Sequence, residues 1–392
     1  MTSILQLQDE LAQFTAADPD DSVTLAYLAT GGIDPGRLHT ALTSLARRHP
    51  VLRAAEAPVV HDTPGAGWEA VDTALKRAES HAAPPFELDG GPLLRADLHR
   101  WPGGALLLVH VHRSAVGGPS LTVLEAELES LYGAAGPVSP VEPGAGPALD
   151  PDAENAASTA WRDHLAGVGA LHWPGLPASP GRPAAVRVPL DRRTLDGLLS
   201  RAGATHPRVT PAAAVFAVYG LAVARFTGQR DFCVGLSVPV RTDPGRQEAI
   251  GASAGLVPVR VRVGESGTDA GLRSVLDSAA FAVRHQGLGY AKIRACAPQD
   301  TAPLLRTVFS QWPRCASRTL RLDGAELAPA RLKPRTSPFD VTAEVVDPVR
   351  ADGLLHLDLS ADPTVVDGDA LNELAAAFRR TARELTAQEV SG

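Results

Sequence analysis

At 392 residues, with 44% hydrophobic and 21% charged side chains, the chain is a globular protein too long for one ordinary core. Two domains or lobes are therefore expected. A formal net charge of −7 comes with no basic block and no aromatic–basic stripe, which argues against nucleic acid as a partner. No stretch reaches the roughly 18 apolar residues that a membrane span requires. Residues 1–14 carry no positively charged region ahead of an apolar run, so no secretory leader is expected and the chain reads as a cytoplasmic protein beginning at Met1. Cys233, Cys296 and Cys315 are far apart, form no metal-ligand spacing, and suit a reducing compartment as buried thiols. Lysine occurs only at Lys76, Lys292 and Lys333 beside abundant arginine, a bias of a GC-rich genome rather than of a function.

In chain order, the spacing of Leu5, Leu7, Leu11 and Phe14 suggests a short amphipathic helix over 3–14, and 23–29 reads as a strand. Asp34-Pro35 supplies an N-cap and first-turn proline for a helix over 35–48, with 50–53 ending it and starting the next strand. A turn over 84–92 leads into a strand, and a second strand, 105–112, follows the Pro-Gly-Gly turn at 102–104. The helix from Leu121 to Tyr132 carries Glu125, Glu127 and Glu129, read as a solvated face. Residues 133–154 are rich in Pro, Gly and Ala and read as an extended connector. A helix resumes over 156–166, and a second Gly/Pro patch at 173–183 puts the lobe boundary between 178 and 179. Beyond it come a strand at 184–190, a helix over 212–226 that is apolar nearly all round and therefore buried, strands at 232–240 and 257–263, and a helix at 272–285. Residues 308–309 stay unassigned. A strand at 354–359 and a helix at 368–385 close the chain. Strands and helices alternate in both halves, so the fold class is α/β or α+β.

The most informative stretch is His112-Arg113-Ser114-Ala115-Val116-Gly117-Gly118-Pro119-Ser120 at the end of the strand over 105–112. It resembles the HHxxxDGxS signature of the condensation domains of nonribosomal peptide synthetases, here written HRxxxGGxS. Four further blocks resemble that family in order. They are RRHPVLR at 47–53, PPFELDGGPLLRADL at 84–98, the strand and loop from Phe232 through Arg241 to Gly251 and on to Arg260, and Pro338-Phe339-Asp340-Val341. The resemblance implies two chloramphenicol-acetyltransferase-like lobes in a V with a tunnel between them. Phosphopantetheine arms of peptidyl or acyl carrier proteins enter that tunnel, and an amine attacks an acyl thioester. No bound cofactor and no metal are implied; the carrier's phosphopantetheine arm presents the substrate.

Within that resemblance the departures fall on the motif. The family's second histidine, which assists the amine, falls on Arg113, and its aspartate, which pairs with a strand-end arginine here at Arg241, falls on Gly117. A guanidinium, with a pKa above about 12, cannot accept a proton at neutral pH. It can hydrogen-bond an anion or a carbonyl, or plug the tunnel. Arg113 and Arg241 together would form a cationic site, unless Asp243 or Glu248 replaces the missing carboxylate. His112 matches the first, mostly structural histidine. Strand alternation puts His110 and His112 on one face and Val111 and Arg113 on the other. Both histidines read as core residues satisfied by hydrogen bonds, with two alternatives: His112 joins Arg113 as a catalytic candidate if a local bulge brings it to the other face, and His110 lines the tunnel. Gly118 completes the turn, Ser120 reads as a helix cap, and Ser237 and Ser253 are candidate tunnel-lining residues. The sequence has no P-loop, no GxGxxG after a strand, no HExxH and no CxxC. His285, Cys296 and Asp300 have no ligand spacing.

Two functions follow from the resemblance. One is a non-condensing module that binds carrier-tethered intermediates or recruits a tailoring enzyme. The X-domain of glycopeptide assembly lines, which recruits cytochrome P450 enzymes and also has Arg at the second motif position, is the analogy, although its acidic motif end differs from Gly117-Gly118. The other is an atypical acyltransferase that works without the second histidine and uses Arg113 to stabilise an oxyanion or relies on proximity.

Overall fold

The computed structural model describes residues 22–80, 85–116, 118–133, 139–141, 149–174, 184–239, 249–251, 254–265, 267–312, 319–330, 332, 339–346 and 355–387. They form two compact units, each built on a six-stranded sheet.

In the first unit, β1 (Ser22–Thr30) lies between β4 (Gly104–His112) and β10 (Ala325–Ala330), both antiparallel to it. The sheet runs β2-β3-β4-β1-β10-β9, where β2 is Val59–Asp62, β3 is Leu94–Trp101 and β9 is Leu320–Leu322. All nine residues of β4 are buried, as a mid-sheet run of Leu, Val and Ala requires. Side chains alternate across the sheet. Ala26, Leu106 and Leu108 therefore meet Ala74 and Ala78 of α2 (Gly67–Ser80), whereas Tyr27 faces α3 (Gly118–Gly133). Helix α1 (Pro35–Arg48) begins where Asp34 accepts a hydrogen bond from the Arg37 amide, with Pro35 in the first turn, and it buries Leu38, Ala41, Leu42 and Leu45.

In the second unit the sheet runs β5-β12-β11-β8-β6-β7. Its strands are β5 (Ala184–Leu190), β6 (Asp231–Pro239), β7 (Ala254–Arg262), β8 (Thr307–Trp312), β11 (Val341–Val346) and β12 (Leu355–Ala361). Helix α6 (Pro211–Thr227), capped by Thr210, buries twelve consecutive-face and flanking residues from Ala212 to Ala224, the burial expected of a helix apolar all round. Its Phe216 ring meets Phe309 of β8 edge-on at 5.2 Å, and the Tyr219 and Thr307 hydroxyls are 2.6 Å apart. Around this core stand α4 (Pro151–Leu165), α5 (Arg192–Gly203), α7 (Thr268–Arg284), α8 (Tyr290–Cys296) and α9 (Gly368–Ala387).

Several expectations change. The helix expected over 3–14 lies outside the described residues. Residues 50–52 form a 3-10 turn and no strand starts at 53, because Arg53 takes φ +63° and turns the chain away. Helix α2 is not expected from the hydrophobic pattern, because its buried stripe is Ala70, Ala74 and Ala78, which carries almost no contrast. Strand β2 is four mostly exposed residues, and β8 is a short parallel strand beside β6 and β11. Helix α4 starts five residues before the expected Ala156, at the cap Asp150 and Pro151. The compact units also divide differently from a single boundary at 178/179. Described residues within Ala148–Val240 group with the second unit, and those within Arg241–Ala254 and Pro313–Lys333 with the first.

Candidate functional site

Strand β4 ends at His112, where the backbone (φ −63°, ψ 136°) enters a 3-10 turn over Arg113–Ala115. The strand alternation therefore stops one residue short of Arg113, and the turn rather than the pleat sets the direction of this side chain. That corrects the expected pairing of Arg113 with Val111 on one face. Arg113 is half-buried.

His112 is 3% exposed and works as the cap of this turn. Its Nδ1 accepts from the Ser114 amide at 3.2 Å and lies 2.7 Å from the Ser114 hydroxyl. A ring nitrogen that accepts a backbone N–H carries no proton, so the imidazole holds its hydrogen on Nε2. Phe86 meets the ring edge-on at 5.6 Å and in turn lies under the Arg95 guanidinium at 3.7 Å. His110, proposed as lining an open channel, is 5% exposed with both nitrogens engaged. Nδ1 is 2.9 Å from the Thr24 hydroxyl and Nε2 is 3.0 Å from Asp97. Its mid-sheet position, with β3 and β1 on either side, explains the enclosure. Burial opposes ionisation of Asp97 most strongly, but hydrogen bonds and charge from His110 and His61 outweigh it and hold the carboxyl below its ordinary value.

Ser120 does not cap the helix that begins at Gly118. It is 1% exposed, and its hydroxyl donates to the Gly251 carbonyl at 2.7 Å while accepting from the Gly251 amide at 3.1 Å. The neighbouring Ile250 amide donates to His49 Nδ1 at 3.2 Å, and His49 Nε2 reaches Glu127 at 2.8 Å. Two motif blocks thus meet through one serine and one histidine. Ser120→Ala leaves both Gly251 groups without this partner, so a loss of about 1–3 kcal/mol in urea unfolding is expected, with faster exchange of the Gly251 amide. Unchanged stability and exchange would remove Ser120 from this role.

The three glutamates of α3 are not a solvated face. Residues two apart on a helix point to opposite sides. Glu125 is fully buried and accepts from the Tyr27 hydroxyl. Glu127 binds Arg48 at 2.8 Å as well as His49, and Glu129 accepts from the Arg321 amide at 2.9 Å. Burial presses the Glu127 carboxyl upward most, and the hydrogen bonds from His49 and Arg48 with their charge bring it below its ordinary value.

Gly117, Arg241, Asp243, Glu248 and Ser253 lie outside the described residues. Gly118 is the first residue of α3, and Ser237 is half-buried in β6. Cys233 is fully buried, which pushes its thiol up to about 12. Among the described residues no group of three or more His, Cys, Asp or Glu is placed to hold a metal, and no helix is long and apolar enough to cross a membrane.

Two six-stranded sheets with helices on them, one of them holding a buried strand that ends in a turn and a helix, define a mixed α/β fold of two units. The family model described as Condensation domain matches residues 161–388, and the chain belongs to that family. It is 26% identical over 413 residues to chondramide synthase cmdD of Chondromyces crocatus and 26% identical over 373 residues to malpinin synthetase of Mortierella alpina. Those alignments take in 94% and 85% of this chain but only 10% and 5% of the two synthetases. Among solved structures it resembles the condensation domain of the monacolin K polyketide synthase MokA (TM-score 0.75, 19% identity, 97% of this chain and 96% of that one). It resembles the X-domain from teicoplanin biosynthesis equally well (TM-score 0.76, 21% identity, 97% and 93%). The same X-domain is also known in complex with OxyB.

Proposed function

We propose that this condensation domain binds intermediates tethered to a peptidyl or acyl carrier protein without forming the amide bond, as an X-domain-like recruitment module in natural-product biosynthesis. The observation that carries the reading is the guanidinium of Arg113 at the start of the turn after β4, where the family keeps an imidazole able to accept a proton. The adjacent His112 does not substitute for it, because its Nδ1 is held by the Ser114 amide that it caps. General-base assistance is worth about 10²–10⁴ in rate, so its loss removes ordinary condensation without removing the binding surface. The carrier supplies its phosphopantetheine arm, and the recruited partner is a tailoring enzyme such as a cytochrome P450.

The test uses an acyl-loaded carrier, an aminoacyl-loaded carrier and wild type, Arg113→Ala and Arg113→His, with amide product and carrier affinity both measured. The expected result is carrier binding by all three, no product from wild type or Arg113→Ala, and product from Arg113→His. Turnover by wild type that Arg113→Ala abolishes would overturn the reading and establish the atypical acyltransferase instead.

A further inference from the structure

We propose that the second unit carries a binding site for a small phosphate or sulfate monoester, in a cleft of about 420 Å³ between β7, α4 and α7. The site is built from residues of the second unit alone, whereas Arg113 belongs to the first, and it does not depend on the role given to that residue.

Three elements bring its groups together. On β7, Arg260 and Arg262 project two residues apart from one face of the strand. On α7, Arg273, Ser274, Ser278 and Phe281 repeat at helical spacing along the side that lines the cleft. From α4, His164 stacks on Phe281, with ring centroids 4.1 Å apart and 19° between planes, and its Nε2 is 3.1 Å from the Ser278 hydroxyl.

The charge left over in this cleft is positive. Arg260 is committed to Asp231. The lining itself holds three arginines and one acidic residue, Asp277, which lies 3.0 Å from the His206 ring nitrogen. Arg262 is 57% exposed and comes only within 3.7 Å of the same, already committed, Asp231 carboxylate. Arg273 is exposed, and the carboxylate whose charge it meets, Asp269 one turn earlier on α7, is already held by both arms of the Arg201 guanidinium. Two guanidiniums are thus available to an oxyanion, whose geometry they match with paired N–H donors. The Ser274 hydroxyl is a further donor, and the Phe281–His164 stack is a flat wall for an organic tail. An apolar wall beside the guanidiniums favours an ester over a bare oxyanion.

His164 reports occupancy. Burial first, then the charges of Arg260, Arg262 and His285, bring its imidazole down to about 4, against a smaller opposite pull from Asp231. Asp277 and Arg273 face it from α7. An anion seated between Arg262 and Arg273 cancels part of that positive field, so binding must raise the His164 midpoint. By reciprocity, protonating His164 must tighten the anion.

The experiment follows the His164 ring by NMR while inorganic sulfate, a dianion throughout the titration, is added to the whole chain. Phenyl phosphate and phenol are compared at neutral pH. The expected result is a His164 midpoint that rises in sulfate but not in chloride of equal ionic strength. Phenyl phosphate should bind at least tenfold tighter than sulfate, and phenol should not bind. Arg273→Gln, on an exposed position and checked for unchanged thermal unfolding, should weaken both anions about tenfold. Equal affinity for sulfate and phenyl phosphate would assign the site to a free oxyanion and overturn the ester. A midpoint indifferent to sulfate, or an Arg273→Gln variant that binds as wild type, would overturn the site itself.

Discussion

Arg260→Leu should destabilise the protein by about 3 kcal/mol or more, among the largest effects of any single exchange in the second unit. The Arg260 side chain is 2% exposed and makes four hydrogen bonds. Two go to the Asp231 carboxylate at the start of β6, at 2.6 and 2.5 Å. Two go to the His164 and Ala166 carbonyls at the end of α4, at 2.7 and 2.8 Å. The last carbonyls of a helix have no intrahelical donor and favour a nearby cation. One guanidinium therefore closes the end of α4 and ties it to neighbouring strands. Gly169 completes the joint, because a Cβ there would lie 2.9 Å from the Asp231 carbonyl. Leucine fills much of the volume but leaves two helix-end carbonyls without this donor and the Asp231 carboxylate with the more distant Arg262 guanidinium at 3.7 Å. Arg260→Lys keeps the charge without the fork and should lose less. The pair Arg260→Leu with Asp231→Asn should recover part of the loss, since no charge is then stranded. Urea unfolding of the three variants measures this. A loss below about 1 kcal/mol for Arg260→Leu would show that the fork contributes little.

Trp161→Ala should cost about 3–5 kcal/mol, the range for truncating a fully buried large aromatic side chain. Trp161 is fully buried on α4, and its Nε1 donates to the His285 carbonyl at the end of α7 at 3.0 Å. The ring also meets Phe281 edge-on at 5.0 Å and His164 at 5.8 Å. Truncation opens a cavity and strips a helix-end carbonyl of its donor. Trp161→Phe keeps most of the packing and loses the donor, so it should cost about 1–3 kcal/mol. Because α4 carries His164, Trp161→Ala should also loosen the anion cleft, seen as weaker sulfate binding. A variant as stable as wild type would mean that the site collapses around the smaller side chain and that α4 is held by other contacts.

Strand β4 and helices α1 and α6 were legible because their hydrophobic pattern is strong and their caps, Asp34 and Thr210, stand beside first-turn prolines. The condensation family was legible because several blocks recur in order, and the match over 161–388 bears out that resemblance. Helix α2 was not legible, since three alanines on one face give no contrast. Glu125 was misread because charge type was weighed without its angle around the helix. The role of Ser120 was misread because its partner, Gly251, lies 131 residues away.

The residue sequence by itself determined that a permanently charged guanidinium, Arg113, follows His112 at the end of β4, since titration range belongs to the side chain's own chemistry. It also determined most elements, because periodicity and capping act over a few neighbouring residues. Tertiary structure alone decided which polar groups are buried together. His112 caps its own turn, Ser120 clasps Gly251, Arg260 seals the end of α4, and Arg262 and Arg273 converge on one cleft. A buried polar atom must be satisfied by whatever segment reaches it, and those segments are brought together only by the packing of the sheets and helices.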